Sequence, residues 1–212
     1  MADSMMLPPF VDLRPVMTPV EEQGTKMNSC VGNALAGAVE YLMFHDSGIP
    51  MSVSRLFIFY TARVIEEKTQ HIGNSGVTIE SGIKALQKFG VCKESTWPYD
   101  SRSVNRIPSR QAFEEARRIT IEPMQVQMDL NTMRECLAMG YPFSFGLKLF
   151  SSMKSVELNG GYIPMPQVTE RTLNRKGYHA VLAVGYDDEQ RHFIIRNSWG
   201  TKWATAIFLM HI

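Results

Sequence analysis

The hydrophobic period changes halfway along the chain, and that change constrains the fold more than any other feature. Val31, Ala34, Leu35, Ala38, Val39, Leu42 and Met43 recur at three- and four-residue intervals, which marks one face of a helix. Asn28 and Ser29, just ahead, are of the types that cap helix N-termini. The spacing predicts a second helix after Ser54, running through Leu56 and Phe57 to Val64 and Ile65. A third is predicted from Thr78 to Phe89 with Gly90 as its stop, and a short one from Thr132 to Met139 ending at Gly140. Strands follow at Phe143–Leu147, His179–Val184 and Phe193–Ile195, the last two flanking the turn-forming Asp187-Asp188-Glu189-Gln190 as a hairpin. Glycine and proline punctuate a long surface connection between Asn159 and Gly177. Helices first and strands later is an α+β pattern, with a helical lobe expected over residues 20–105, a β-rich lobe over 106–212, and the boundary between Asp100 and Pro108. Two such lobes leave a cleft at their junction, where ligands bind preferentially.

With 212 residues, 44% of them hydrophobic, the chain can build one sizeable core or two half-size lobes sharing an interface. Its 22 basic and 21 acidic residues leave a net charge of +1, which points to neither a nucleic-acid nor a membrane partner. No apolar run reaches the roughly 18 residues of a membrane-spanning helix. The N-terminal MADSMMLPPF lacks a basic segment followed by an apolar core, so a secretory signal is not expected and the protein is either cytoplasmic or already processed. Cys30, Cys92 and Cys136 are odd in number, include no CxxC pair and sit in no zinc-like cluster. A reduced chain without a metal is the simplest reading.

Three residues carry candidate chemistry. Cys30 stands at the predicted start of a helix, where free N–H groups and the helix dipole favour an anion and would lower a thiol's pKa. By position alone it reads more readily as a small buried apolar residue. His179 opens an apolar strand and can act as the base beside a thiolate, or be an ordinary hydrogen-bonded strand-end histidine. Asn197, in Asn197-Ser198-Trp199-Gly200, can orient an imidazole under the cover of Trp199, or form a plain turn. His45, His71, His192 and His211 have no comparable context and read as surface or satisfied residues. Taken together, Cys, His and Asn have the order of a nucleophile–base–orienter set. A Cys followed by His and Asn roughly 130–150 residues downstream is the spacing of papain-like enzymes, with Asn197 slightly beyond it.

The chain resembles the papain-like cysteine peptidases over nearly its whole length. Pro19-Val20-Glu21-Glu22-Gln23-Gly24 with Asn28-Ser29-Cys30 is similar to the family's entry into its nucleophile. Val11-Asp12-Leu13-Arg14 resembles the start of the mature enzyme, and Gly90-Val91-Cys92 through Trp97-Pro98-Tyr99-Asp100 the stretch after the third helix. Gly160-Gly161-Tyr162-Ile163, His179-Ala180-Val181, Gly185-Tyr186 and Asn197-Ser198-Trp199-Gly200 continue the match. Lys88–Pro98 resembles the bacterial and viral branch more than the lysosomal cathepsins. The resemblance implies a two-lobed fold with the N-terminal arm crossing to the second lobe, and hydrolysis of peptide bonds without a cofactor. It implies Cys30 as nucleophile, His179 as base, Asn197 as orienter and Gln23 as donor to the oxyanion. It implies substrate contacts at Gly76, Val77, Ile79, Gly146, Gly177, Tyr178, Ala180 and Trp199, with an apolar residue preferred two before the scissile bond. Peptide or protein substrates and protein inhibitors would be the partners. A peptide-binding homologue of low activity, or a peptide ligase, would use the same fold.

The departures from the family pattern are specific. Met27 and Gly73 stand where many relatives pair two cysteines. Gln23 is one residue further from Cys30 than is usual, so the loop between them must bulge. Val31 replaces the usual tryptophan, and Tyr178 stands where smaller or polar residues are common. After Trp203 the sequence Ala204-Thr205-Ala206-Ile207-Phe208 departs from Gly-x-x-Gly-Tyr and the chain stops at Ile212, so the expected pocket is open at its base. The chain begins close to the mature-type start, and no inhibitory pro-segment is expected within it.

Overall fold

Val31 to Gly37 are buried in succession, so the first two turns of the helix that begins at Cys30 lie inside the molecule with protein on every side. The computed structural model describes residues 6–70, 72–156, 160–172, 178–201 and 205–209. The order of elements is β1 (Phe10–Asp12), α1 (Cys30–Ser47), α2 (Arg55–Glu67), α3 (Ile79–Phe89), α4 (Arg110–Ala116), α5 (Leu130–Ala138), β2 (Phe143–Lys148), β3 (Tyr162–Ile163), β4 (Tyr178–Asp187), β5 (His192–Arg196) and β6 (Thr205–Leu209). Helices precede the sheet, as the change of period predicts, and the fold is the two-lobed α+β architecture.

The helix boundaries follow their caps. Ser54 and Thr78 accept hydrogen bonds from the N–H groups of Phe57 and Ser81 and so start α2 and α3. Gly48, with φ 68°, ends α1 in the left-handed conformation. α1 packs against α2 and α3 through Val31, Leu35, Val39, Ile58 and Leu86. Gly82 lets α3 approach closely, since a Cβ there would lie 2.5 Å from Leu35 Cδ1 and 2.8 Å from Val31 Cγ1. Each of these buried aliphatic side chains contributes about 1.5–3 kcal/mol relative to full exposure.

The sheet runs β1-β4-β5-β6-β3, with β2 on the other side of β4. β4 is buried on both faces. Val181 and Ala183 join Leu137, Phe143, Leu147, Phe193 and Ile195, whereas Leu182 and Val184 meet Ala38 of α1. This accounts for an apolar run without alternation. The N-terminal arm does cross to the sheet: β1 pairs with β4, Val11 opposite Tyr186 and Asp12 opposite Gly185. A side chain at Gly185 would collide with Val11 O at 2.2 Å.

Three features differ from the sequence expectation. α4 fills part of the expected second lobe as a seven-residue helix capped by Ser109. The connection after Gly160 contains β3, whose Tyr162 and Ile163 pair in parallel with Ile207 and Phe208. The altered end still forms a strand, β6, paired antiparallel to β5. Gly177 and Trp203, like His71 and His211, lie outside the described residues.

Candidate active site

Cys30 is the first residue of α1. Backbone N–H groups of Cys30 itself, Val31 and Ala180 approach its sulfur, and each favours a thiolate. Burial acts in the opposite direction and is the largest influence, so the thiol taken alone is pushed up from its usual value. The helix start alone does not lower it, contrary to the sequence expectation. Ala180 is the residue after His179, so α1 and β4 bring the thiol and the imidazole segment together from different lobes.

His179 is 4% exposed, and its Nε2 lies 2.8 Å from Asn197 Oδ1. The N–H of Ser198 also donates to Oδ1 at 2.8 Å, which fixes the amide with its oxygen toward the ring. Nε2 therefore carries the proton in the neutral imidazole, and Nδ1 is the basic nitrogen. Trp199 tilts over the ring with centroids 4.6 Å apart, covering the His179–Asn197 bond. Burial lowers the His179 pKa, and the Asn197 hydrogen bond partly offsets this. Burial thus disfavours a lone thiolate and a lone imidazolium alike. Either charge would therefore need a counter-charge beside it to form readily.

Gln23 is held from both ends. Its backbone N–H donates to Ser198 O at 2.8 Å, within an antiparallel bridge that pairs Glu22 with Trp199. Its side-chain Oε1 accepts from the Ser198 hydroxyl at 2.7 Å. That leaves the amide Nε2 as the free donor end, with only a long 3.5 Å contact to Met27 O. Gly24, at φ 70°, makes the bend that accommodates the extra residue before Cys30.

The expected substrate contacts that are described lie as follows, Gly177 being outside the described residues. Gly146 lies opposite Ala180 in the β2–β4 register, and a Cβ at Gly146 would meet nothing within 4 Å. Cys30, Val77 and Ile79 are half-buried against the cluster that holds Ala180 and Val31. Gly76 lies beside the segment entering Cys30, a Cβ there being 3.9 Å from Asn28 Cβ. Tyr178, next to His179, is 73% exposed. The loops that relatives join by a disulfide are held differently: Asn74 Nδ2 donates to Lys26 O at 2.6 Å and Asn28 Nδ2 to Asn74 O at 2.8 Å.

The other candidates separate cleanly. Cys92 is buried beside Phe57, Ala112 and Ala116 and pushed up to about 12, which makes it inert. Cys136 packs in the sheet core, its thiol donating to Tyr141 O at 3.4 Å. His45 is exposed next to Asp46. His192 is not at the surface: it is buried with its ring edge-to-face against Tyr162. Sequence reasoning missed Ser198 and Tyr99 as site residues. Both lay inside quoted motifs, but nothing local showed that their hydroxyls reach the Gln23 segment.

A half-buried cysteine at a helix start, near a strand that presents a histidine bonded to an asparagine, is an arrangement that can supply a thiol nucleophile on an α+β scaffold. The profile of the papain family of cysteine proteases matches residues 7–211, and the chain belongs to that family. It is 34% identical over 209 residues to an uncharacterized peptidase C1-like protein of Acanthamoeba polyphaga mimivirus, covering 91% of this chain and 65% of that one. It is 29% identical to Peptidase 1 of Dermatophagoides pteronyssinus, covering 92% of this chain and 58% of the mite protein. The chain thus spans less than two thirds of either relative. Among solved structures, xylellain, a cysteine protease from Xylella fastidiosa, superposes with a TM-score of 0.83 at 38% identity, covering 96% of this chain and 80% of that one. The likeness to digestive procathepsin L 3 of Tenebrio molitor, TM-score 0.71 at 20% identity, concerns the fold alone. A viral and a bacterial relative thus agree with the branch that Lys88–Pro98 resembles.

Proposed function

We propose that the protein is a cysteine peptidase in which Cys30, His179, Asn197 and Gln23 carry the reaction. The observation that carries this reading is the buried 2.8 Å hydrogen bond from His179 Nε2 to Asn197 Oδ1, on the strand whose next N–H approaches the Cys30 sulfur. It leaves His179 Nδ1 as the nitrogen that exchanges a proton with the thiol. The Cys30 thiolate attacks the peptide carbonyl carbon, and the carbonyl electron pair moves onto oxygen. The N–H of Cys30 and Nε2 of Gln23 donate to that oxyanion. Collapse breaks the C–N bond, and the leaving amine takes its proton from the His179 imidazolium. Water, deprotonated by His179, then attacks the thioester and releases the Cys30 thiolate.

Gly76 and Val77 form the edge along which the substrate backbone lies, and Gly146, Ala180, Val77 and Ile79 surround its side chain two before the scissile bond. None is charged, and an unpaired charge buried among them is costly, so the site takes an apolar residue there. Gly177 matches the same pocket by sequence and lies outside the described residues. Tyr178 and Trp199 flank His179 on the leaving-group side. Cleavage of a fluorogenic peptide with leucine at that position tests the reading. The Cys30→Ser variant should retain its fold and lose cleavage, and full activity in that variant refutes the assignment.

A further inference from the structure

Tyr99 lies in the middle of a hydrogen-bond chain whose directions are fixed by counting protons. Arg55 Nη1 donates to Asn33 Oδ1 at 2.9 Å, which sets the Asn33 amide. Asn33 Nδ2 then donates to Ser29 Oγ at 3.2 Å and to Ser29 O at 2.9 Å. Tyr99 Oη donates its one proton to Gln23 O at 2.9 Å. Its contact with Ser29 Oγ must therefore be an acceptance, and the Ser29 hydroxyl donates to it. The chain runs Arg55, Asn33, Ser29, Tyr99, Gln23, every proton pointing the same way. Such chains polarise their members and strengthen one another. Arg55 also stacks on the Tyr99 ring, its Cζ 3.9 Å from the centroid, and pairs with Glu21 at 2.5 Å. Ser29 and Arg55 are buried, so no water replaces these links freely.

We propose that Tyr99 is a positioning residue for peptide hydrolysis, its single hydroxyl fixing the distance between the two oxyanion donors by binding the Gln23 carbonyl and the Ser29 side chain together. This rests on the reading of Gln23 and the Cys30 N–H as those donors. One donor is the side chain of Gln23, whose far end Ser198 holds. The other is the N–H of the residue after Ser29. Without the Tyr99 hydroxyl, the Gln23 carbonyl loses its tie to Ser29, although Ser198 and the Arg55–Glu21 pair still hold the segment. The thiol and imidazole do not touch Tyr99 and keep their own supports.

The test is Tyr99→Phe in the full chain, which keeps the ring stacked on Arg55. Turnover of a peptide substrate should fall about three- to tenfold in kcat, the worth of one hydrogen bond in a buried site, with KM unchanged. The inhibition constant of a peptide aldehyde, whose adduct places an oxygen between the same two donors, should rise by the same factor. Alkylation of Cys30 by iodoacetamide forms no oxyanion, so its rate and pH profile should stay those of the parent protein. A general packing defect would slow alkylation and turnover together. That outcome, or unchanged kcat and aldehyde inhibition, overturns the proposal. Ser29→Ala, one link earlier, should move the same two constants in the same direction and serves if Tyr99→Phe does not fold. Its failure to do so also counts against the proposal. Gln23→Ala separates the two levels: if it moves kcat and aldehyde inhibition while Tyr99→Phe does not, only the role of Tyr99 falls. If Gln23→Ala moves neither, the oxyanion reading itself falls.

Discussion

Replacing Asn197 by Ala removes the acceptor of two buried hydrogen bonds, from His179 Nε2 and from Ser198 N, each 2.8 Å long. The bond to His179 favours the charged ring and opposes the burial that lowers its pKa. A hydrogen bond to a charged group is worth about 1.5–3 kcal/mol. The neutral ring donates the same bond through Nε2, so only the extra strength of the bond from the imidazolium enters, and losing it should bring the alkaline limb of the kcat/KM profile to lower pH. The sign follows from the proton count. Without Asn197 the imidazolium of the Cys30–His179 pair loses its proton at lower pH, so the active range narrows from the alkaline side. At the optimum, kcat/KM should fall about tenfold or more, because the ring is no longer held in place by the Asn197 acceptor. Asn197→Asp places a carboxylate at the same point and should move the limb upward. The assay is kcat/KM against pH for a fluorogenic peptide, with thermal unfolding of each variant in parallel. An alkaline limb that stays in place in Asn197→Ala, with the protein folded, would refute the role given to Asn197.

Gln23→Ala should lower kcat by up to about 10²–10³, the range for loss of one oxyanion donor, with little change in KM, and stopped-flow turnover checks it. Gly82→Val should destabilise the protein by about 1–3 kcal/mol, since the added atoms overlap Leu35 and Val31 across the α1–α3 contact; a denaturation midpoint equal to the parent's would contradict this packing. A fluorogenic library varied two residues before the scissile bond should favour Leu, Val and Phe, with differences of about 1–3 kcal/mol per missing methylene or less. Strong selection there for Arg, Lys, Asp or Glu would show that Gly146, Ala180, Val77 and Ile79 do not form the pocket.

Helices α1, α2, α3 and α5 and the β4–β5 hairpin are legible because their signals are local. Ser54, Thr78, Gly90 and Gly140 mark ends within the same few residues that show the period. β3 was not, because two residues carry no period, and its partner Ile207 is distant in sequence. α4 was missed for a related reason: it is two turns long, and only Ala112 and Ala116 of it are buried. Cys30, His179, Asn197 and Gln23 could be named from motif and order. Their electrostatics could not, because burial reverses the sign expected for the isolated Cys30 thiol and no local pattern encodes burial. Ser198 and Tyr99 stayed hidden for the same physical reason. Their hydroxyls act on a loop far away in the chain, and only the closed fold brings them within hydrogen-bond reach.

The central claim is that burial makes Cys30 reactive only together with His179. Labelling with an electrophilic peptide epoxide, followed by intact mass and peptide mapping, tests it most directly. A single adduct on Cys30 is expected, with none on Cys92 or Cys136, which are buried and uncharged. In His179→Ala the buried thiol has no counter-charge, and the adduct should form far more slowly at neutral pH. An adduct on Cys92 or Cys136, or labelling of Cys30 at the same rate without His179, would contradict the account.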